Sequence, residues 1–295
     1  MAVVETVDIA PIISTNAQFQ AWGGNISSHL GAAGMVNVSN NINWTTVATP
    51  GVINTKAGYE VWRFADALQN TSPVFFKLEY GAGATINQPR LHFQLGSGAD
   101  TVNTQILTGP VSPPNTYFIQ NTANNANVQH CYFSGNTSYF NAWMFMNKDA
   151  GVTATGTVSH GLSMERTKDA NGADTGQGVL ITIYIGGLQT AIWDPKLGML
   201  SPSGFESPAA LLVPASGNGT TGSNIAVYPV FHAIGNAFHN PGLAVMGYFN
   251  VDIANTTNTT VSVYGSNHTY ITTSSQGIVQ TGWRSTGIGL LIRYE

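Results

Sequence analysis

Charge is what this 295-residue chain has least of: Asp, Glu, Lys and Arg make up 8% of it, against about a quarter of an ordinary soluble domain. Catalytic sites are usually built from carboxylates, imidazoles and amines with shifted pKa values. Such groups are few and scattered here, so no enzyme is expected. Glycoside chemistry needs two close carboxylates, and nothing marks Glu79, Asp100, Glu165 and Asp194 as a pair. The ten Lys and Arg residues stand singly in a chain of net charge −4, without the basic patch that reads a phosphate backbone, so nucleic acid is not expected as a partner. A lone cysteine, Cys131, excludes an intrachain disulfide and a thiolate zinc site. The seven histidines form neither H-x-H nor H-E-x-x-H, so no metal is expected. There is no P-loop, and Gly81-Ala82-Gly83 lacks the third glycine of a dinucleotide turn; no cofactor is expected. No run of about 20 apolar residues occurs, so membrane insertion is not expected. Met1 to Glu5 has no basic n-region and is not expected to be a signal peptide.

In place of charge the chain carries Asn, Thr, Ser, Gln and Gly, with 43% hydrophobic and 10% aromatic residues, enough for a core. One helix is predicted. Ser14 or Thr15 can cap it, and Phe19, Trp22, Ile26 and Leu30 then fall on one face. Gly31 to Gly34 offers the stop. Gly23-Gly24 weakens this helix by about 1 kcal/mol per glycine, so packing of Trp22 must support it.

Beyond residue 35 the pattern has period two. Strands are predicted at Tyr59 to Phe64, Val74 to Tyr80, Arg90 to Leu95, Val128 to Phe133, Tyr139 to Met146, Leu162 to Arg166 and Val179 to Ile185. The last is almost wholly apolar, as a central strand covered on both faces would be. Gly96 to Asn115 reads as loop. Asp169 to Asp174 weakly resembles a calcium loop but has the wrong ligand spacing; its Asn171-Gly172 predicts a hairpin tip. Later strands are predicted at Ile225 to Phe231, Leu243 to Val251, Thr259 to Tyr264 and Ile288 to Tyr294, and Asn255 to Ser275 as a solvent-facing hairpin. His232 and His239 flank a segment that can return them to one region.

The expected fold is mainly β: antiparallel, sandwich-like domain or domains with the N-terminal amphipathic helix packed on the sheet. Residues 1–195 make a helix-plus-β unit and 196–295 a β-rich region, separate or part of the same domain. Core burial takes most aromatics. Trp22, Tyr139, Phe140, Trp143, Trp193, Tyr228 and Phe231 exceed what one thin core needs, and flat rings at a surface suit subunit packing or sugar stacking. They are the candidate interface or glycan-contact residues.

Phe19-Gln20-Ala21-Trp22-Gly23, Ile42-Asn43-Trp44 and Gly58 to Leu68, with Pro73 to Gly81 and Leu91 to Gly98, resemble uncharacterised virion structural proteins of tailed bacteriophages, of the tail and baseplate kind. The resemblance covers roughly the first 150 residues and lies in phrasing, not in a catalytic signature. Gly287 to Glu295 is similar in style. It implies a multicopy subunit of a symmetric virion, assembled in the bacterial host cytoplasm, whose partners are its own copies and other virion proteins. The alternatives are a receptor- or glycan-binding tail module that meets host surface glycan, a capsid decoration protein and, last, a polymer hydrolase. The resemblance supplies no catalytic residues.

Overall fold

A computed structural model describes residues 3–9, 13–83, 89–100, 107–112, 129–146, 157–184, 187–200, 226–229, 232–234, 237–239, 245–249, 258–263, 265–272 and 288–293, in several strands through the backbone alone. The protein is mainly β, with one long N-terminal helix. Sheet A is built from β1 (Val3–Ile9), β7 (Gln129–Asn136), β8 (Tyr139–Met146), β9 (Thr157–Lys168), β10 (Asp174–Tyr184), β11 (Gly187–Asp194) and β12 (Gly198–Met199), in that spatial order. Sheet B is β2 (Val36–Asn40), β3 (Lys56–Arg63), β4 (Phe75–Ala82), β5 (Pro89–Ala99) and β6 (Leu107–Val111). Sheet C orders β13 (Ala226–Pro229), β16 (Val245–Phe249), β19 (Ile288–Arg293), β18 (Ser266–Thr272) and β17 (Asn258–Val263). A separate hairpin, β14 (His232–Ile234) with β15 (Ala237–His239), sets His232 opposite His239 in register.

The helix α1 (Asn16–Ala32) starts where the sequence predicts. Thr15 Oγ1 accepts from the Gln18 N–H at 3.2 Å, and Gln18 Oε1 accepts from the Thr15 N–H at 3.1 Å. This reciprocal cap satisfies two of the N–H groups that a helix start leaves orphaned. Phe19, Trp22, Ile26 and Leu30 are buried in one core with residues of both sheets. Trp22 meets Tyr80 of sheet B edge-on at 5.8 Å, and His29 stacks on Phe133 of sheet A at 4.8 Å. The helix thus packs on both sheets, and all three share one core.

Gly23 has a positive reason to be glycine. A Cβ there would lie 2.0 Å from the Trp44 ring. Gly23→Ala would gain up to about 1 kcal/mol of helix propensity but overpack an indole held in the core, at about 1–3 kcal/mol. The variant should therefore be less stable than wild type in urea denaturation. Equal or greater stability would show that Trp44 moves aside freely.

Alternation decides the faces. In β4, Phe76, Leu78 and Tyr80 enter the shared core, while Phe75, Lys77 and Glu79 face the other way. In β8 and β9, Phe140, Ala142, Leu162 and Met164 point into the shared core. Tyr139, Asn141, Ser163 and Glu165 point to the opposite face and are also buried. On β10, adjacent Val179 and Leu180 are both buried, so sheet A is covered on both sides around this central strand.

Two local expectations change. Gly96 to Asn115 is not all loop: β5 runs on to Ala99 and β6 pairs with it through Gly96↔Val111, Gly98↔Thr108 and Ala99↔Leu107. Backbone pairing at this sheet edge overrides the Gly-Pro punctuation. The hairpin tip is tighter than the gap between the strands predicted to end at Arg166 and start at Val179: β9 runs to Lys168 and β10 starts at Asp174. Asp169 Oδ1 accepts from the N–H groups of Asn171 and Ala173, and Gly172 sits at φ 83°, a turn that uses the Asp oxygen for backbone rather than calcium. Within the predicted Asn255 to Ser275 hairpin, β17 and β18 pair, and Tyr270 is fully buried as one of its apolar anchors. β12, beyond residue 195, pairs with β11; the strands of sheet C begin at residue 226.

Candidate functional site

Of the seven candidate aromatics, Trp22, Tyr139, Phe140 and Trp193 are buried within the chain's own fold, so they present no ring to a partner or a sugar. The physical reason is the second covered face of sheet A. Neighbours Tyr139 and Phe140 point to opposite faces, and both faces are interior. The side chains of Trp143 on β8 and Tyr228 on β13 lie outside the described residues, as does Phe231 altogether. Every aromatic side chain that is described is buried or half-buried.

The chemistry-bearing residues gather elsewhere, in four places. The first is Glu60, on the core face of β3 and buried. Its Oε1 accepts from Ser27 Oγ at 2.7 Å and Trp44 Nε1 at 3.0 Å, and its Oε2 from Trp62 Nε1 at 3.1 Å and Tyr80 Oη at 2.7 Å. Burial, followed by the charge and hydrogen bond of Glu60, holds the Tyr80 phenol well above its ordinary range, so it stays a donor. The second place is a buried ion pair. Arg166 Nε and Nη2 donate to Asp66 Oδ2 and Oδ1 at 2.8 and 3.1 Å, and Nη1 donates to the Gly176 carbonyl at 3.2 Å.

The third is the outer face of sheet A. The Arg293 carbonyl accepts from Ser134 Oγ at 2.6 Å and from Asn141 Nδ2 at 3.2 Å. The Arg293 guanidinium lies 4.7 Å over the Tyr139 ring. Burial raises the Tyr139 phenol, the Arg293 charge opposes that rise, and Glu165 adds to it. The last strand of sheet C is thereby tied to sheet A.

The fourth is the outer face of sheet B, where Tyr59, Glu79 and His92 stand in one cross-strand row. Glu79 is clasped by Lys56 and, at 3.0 Å, by Lys77. Burial pushes its carboxyl up, but hydrogen bonds from the two lysines outweigh that and hold it below the usual range. Lys77 also lies 4.9 Å over the Tyr59 ring. Burial, then the charges of Arg90 and Lys56, lower His92 from 6.5 to about 4, against the pull of Glu79. The unfolded chain then binds more protons than the folded one between pH 6.5 and 4, so this group's contribution falls as pH drops through that window. His92→Gln should flatten the stability–pH slope there, measured by urea midpoints at several pH values. An unchanged slope would refute the shift.

These groups hold the fold. Glu79 is locked between lysines, Glu60 accepts from core donors, and Glu165 and Asp194 lie on strands of sheet A that β10 separates. Among the described residues no three His, Cys, Asp or Glu side chains gather as a metal ion would require. The sequence reading missed a different surface feature. Of the described large apolar side chains, only Val52, Ile53, Val111 and Leu197 are exposed. Their signal was legible: Val52-Ile53 stands between Pro50-Gly51 and Asn54, an aliphatic pair inside a turn.

No protein-family model and no curated protein matches the chain.

Proposed function

We propose that this chain is a structural subunit of a tailed-phage virion, a tail or baseplate component that works by symmetric assembly with its own copies and with other virion proteins. The observation that carries the reading is how the side chains are spent. Where they are described, carboxylates and cations brace the fold, aromatics fill its core, and the exposed apolar groups are aliphatic. A surface with few free charges, rich in Asn, Thr and Ser, suits wide hydrogen-bonded contacts that salt weakens little. The phrasing of the first part of the chain supports the same reading. The glycan-binding alternative requires exposed rings, and the described aromatics lend it none. No described helix is long and apolar enough to cross a membrane.

The test is peptide mass spectrometry of density-purified particles from cells producing the phage that encodes the chain. Recovery in several copies per particle is expected. Its absence from intact particles would end the virion reading.

A further inference from the structure

Two of the seven histidines, His232 and His239, meet only through the fold. They stand seven residues apart, a spacing that matches neither H-x-H nor H-E-x-x-H. The hairpin of β14 and β15 makes them a pair. Its register runs His232↔His239, Ala233↔Phe238 and Ile234↔Ala237. Gly235-Asn236 lies between the two strands in sequence, and Gly-Asn is a pair that two-residue hairpin loops favour, so sequence and register agree. The setting in sequence is as telling. Between Glu206 and Asp252 the chain has no Asp, Glu, Lys or Arg. The two histidines are the only basic residues of that stretch, and the register sets them directly opposite each other.

Residues directly opposite in an antiparallel pair share one face of the ribbon, with Cβ atoms about 4.5–5.5 Å apart. A tetrahedral ion bonded to imidazole at about 2.0–2.1 Å needs two nitrogens about 3.3–3.4 Å apart. Rings on Cβ atoms so spaced can bring two nitrogens to that separation. A histidine pair serving ion pairs would need carboxylates instead. The element packed against β14 is β11, and its one carboxylate, Asp194, is engaged elsewhere. Asp194 Oδ1 accepts from the N–H groups of Lys196 and Leu197 at 2.8 and 3.1 Å, and Oδ2 from Gln177 Nε2 at 3.0 Å. The donors also select the ion. Imidazole suits zinc, copper, nickel and iron, whereas magnesium and calcium take oxygen ligands.

We infer that His232 and His239 chelate a divalent transition-metal cation of the zinc class across this hairpin. Structural zinc sites close on four protein ligands and catalytic ones use three. Two ligands leave positions open to water or to a group of another molecule, so the ion is held loosely and exchanges. Its imidazoles bind it in their neutral form, so acid releases it. The hairpin also gains from the ion. β14 and β15 have three residues each and form a sheet of their own, and an isolated two-stranded ribbon is marginal in water. A metal bond across the strands, made only when they are paired, stabilises the paired state. The inference is independent of the virion reading.

Zinc binding to the full chain tests it. Equilibrium dialysis should find a Zn2+ site that His232→Ala and His239→Ala each weaken by about tenfold or more, a loss typical even of changes beyond the ligands themselves. His92→Gln should keep the site, and Mg2+ should not compete for it. Circular dichroism checks that each variant is folded. Wild type supplies a second measurement that no folding defect can disturb: carbethoxylation of its histidines, read residue by residue by peptide mass spectrometry. Zinc should protect His232 and His239 together and leave the other histidines as reactive as before. No zinc bound, binding that survives both substitutions, equal reactivity of the pair with and without zinc, or protection that falls on other histidines would each overturn the site. Neither measurement depends on whether the chain is found in particles.

Discussion

Arg166→Leu should cost about 3–5 kcal/mol, the loss expected when one partner of a buried ion pair is removed and the other charge is stranded. The Arg166 side chain is fully buried and that of Asp66 is 9% exposed. The guanidinium also lies 5.4 Å over the Phe64 ring. Asp66 joins a second structure, because its Oδ1 accepts from the Leu68 N–H at 3.0 Å and caps the 3-10 turn Ala67–Asn70. One fork-to-carboxylate contact therefore stitches β9 of sheet A to the connection between β3 and β4 of sheet B, across 100 residues of chain. Asp66→Leu should be comparably harmful, losing the pair and the cap together. The double variant should recover part of the loss, since two apolar side chains strand no charge. Urea denaturation of the four proteins would measure a coupling of about 1–3 kcal/mol. Strict additivity would show that the pair does not hold the sheets.

This pair marks where sequence reading stops. Local signals found the local elements. Ser14 or Thr15 foretold the cap, the spacing of Phe19, Trp22, Ile26 and Leu30 foretold the helix, and the alternation of Val74 to Tyr80 foretold both faces of β4. A period-two strand cannot say whether its second face meets water or another layer. Glu165 and Arg166 are neighbours on one strand, yet Arg166 reaches Asp66 in the β3–β4 connection, while Lys168 lies 3.7 Å from Glu165. The surplus of aromatics was real, but its inference assumed one core layer, and sheet A has interior on both sides. The β1 strand escaped because its partner, β7, lies more than a hundred residues away. The exposed aliphatic pair was readable only in part: Val52-Ile53 in a turn can be seen, but the bracing of that turn by Gly83, Ala82 and Arg90 comes from the folded sheet.

Glu60 offers the sharper test of what holds this fold together, because the chemistry of its partners dictates an order among variants. Among the described residues the carboxylate accepts from four neutral donors: Ser27 on α1, Trp44 in the following loop, Trp62 two residues along β3, and Tyr80 on β4. Burying a carboxylate is costly, and hydrogen bonds to a charged acceptor, each contributing about 1.5–3 kcal/mol, offset the cost. Each oxygen serves one hydroxyl and one indole. In Glu60→Gln the amide NH2 replaces one oxygen, and a hydroxyl can turn to accept from it. An indole N–H can only donate, so whichever way the amide is set, Trp44 or Trp62 loses its acceptor. That should cost about 1–3 kcal/mol. Glu60→Leu removes both acceptors, strands both indoles and leaves the two hydroxyls without a carboxylate, so its loss should be about twice as large. Stability in urea should therefore fall from wild type to Gln to Leu. Glu60→Gln combined with Trp44→Phe should lose less than the two single changes summed, because the amide can then turn its NH2 toward the position that no longer donates. A Gln variant as stable as wild type would mean that Glu60 is held there by something other than its hydrogen bonds.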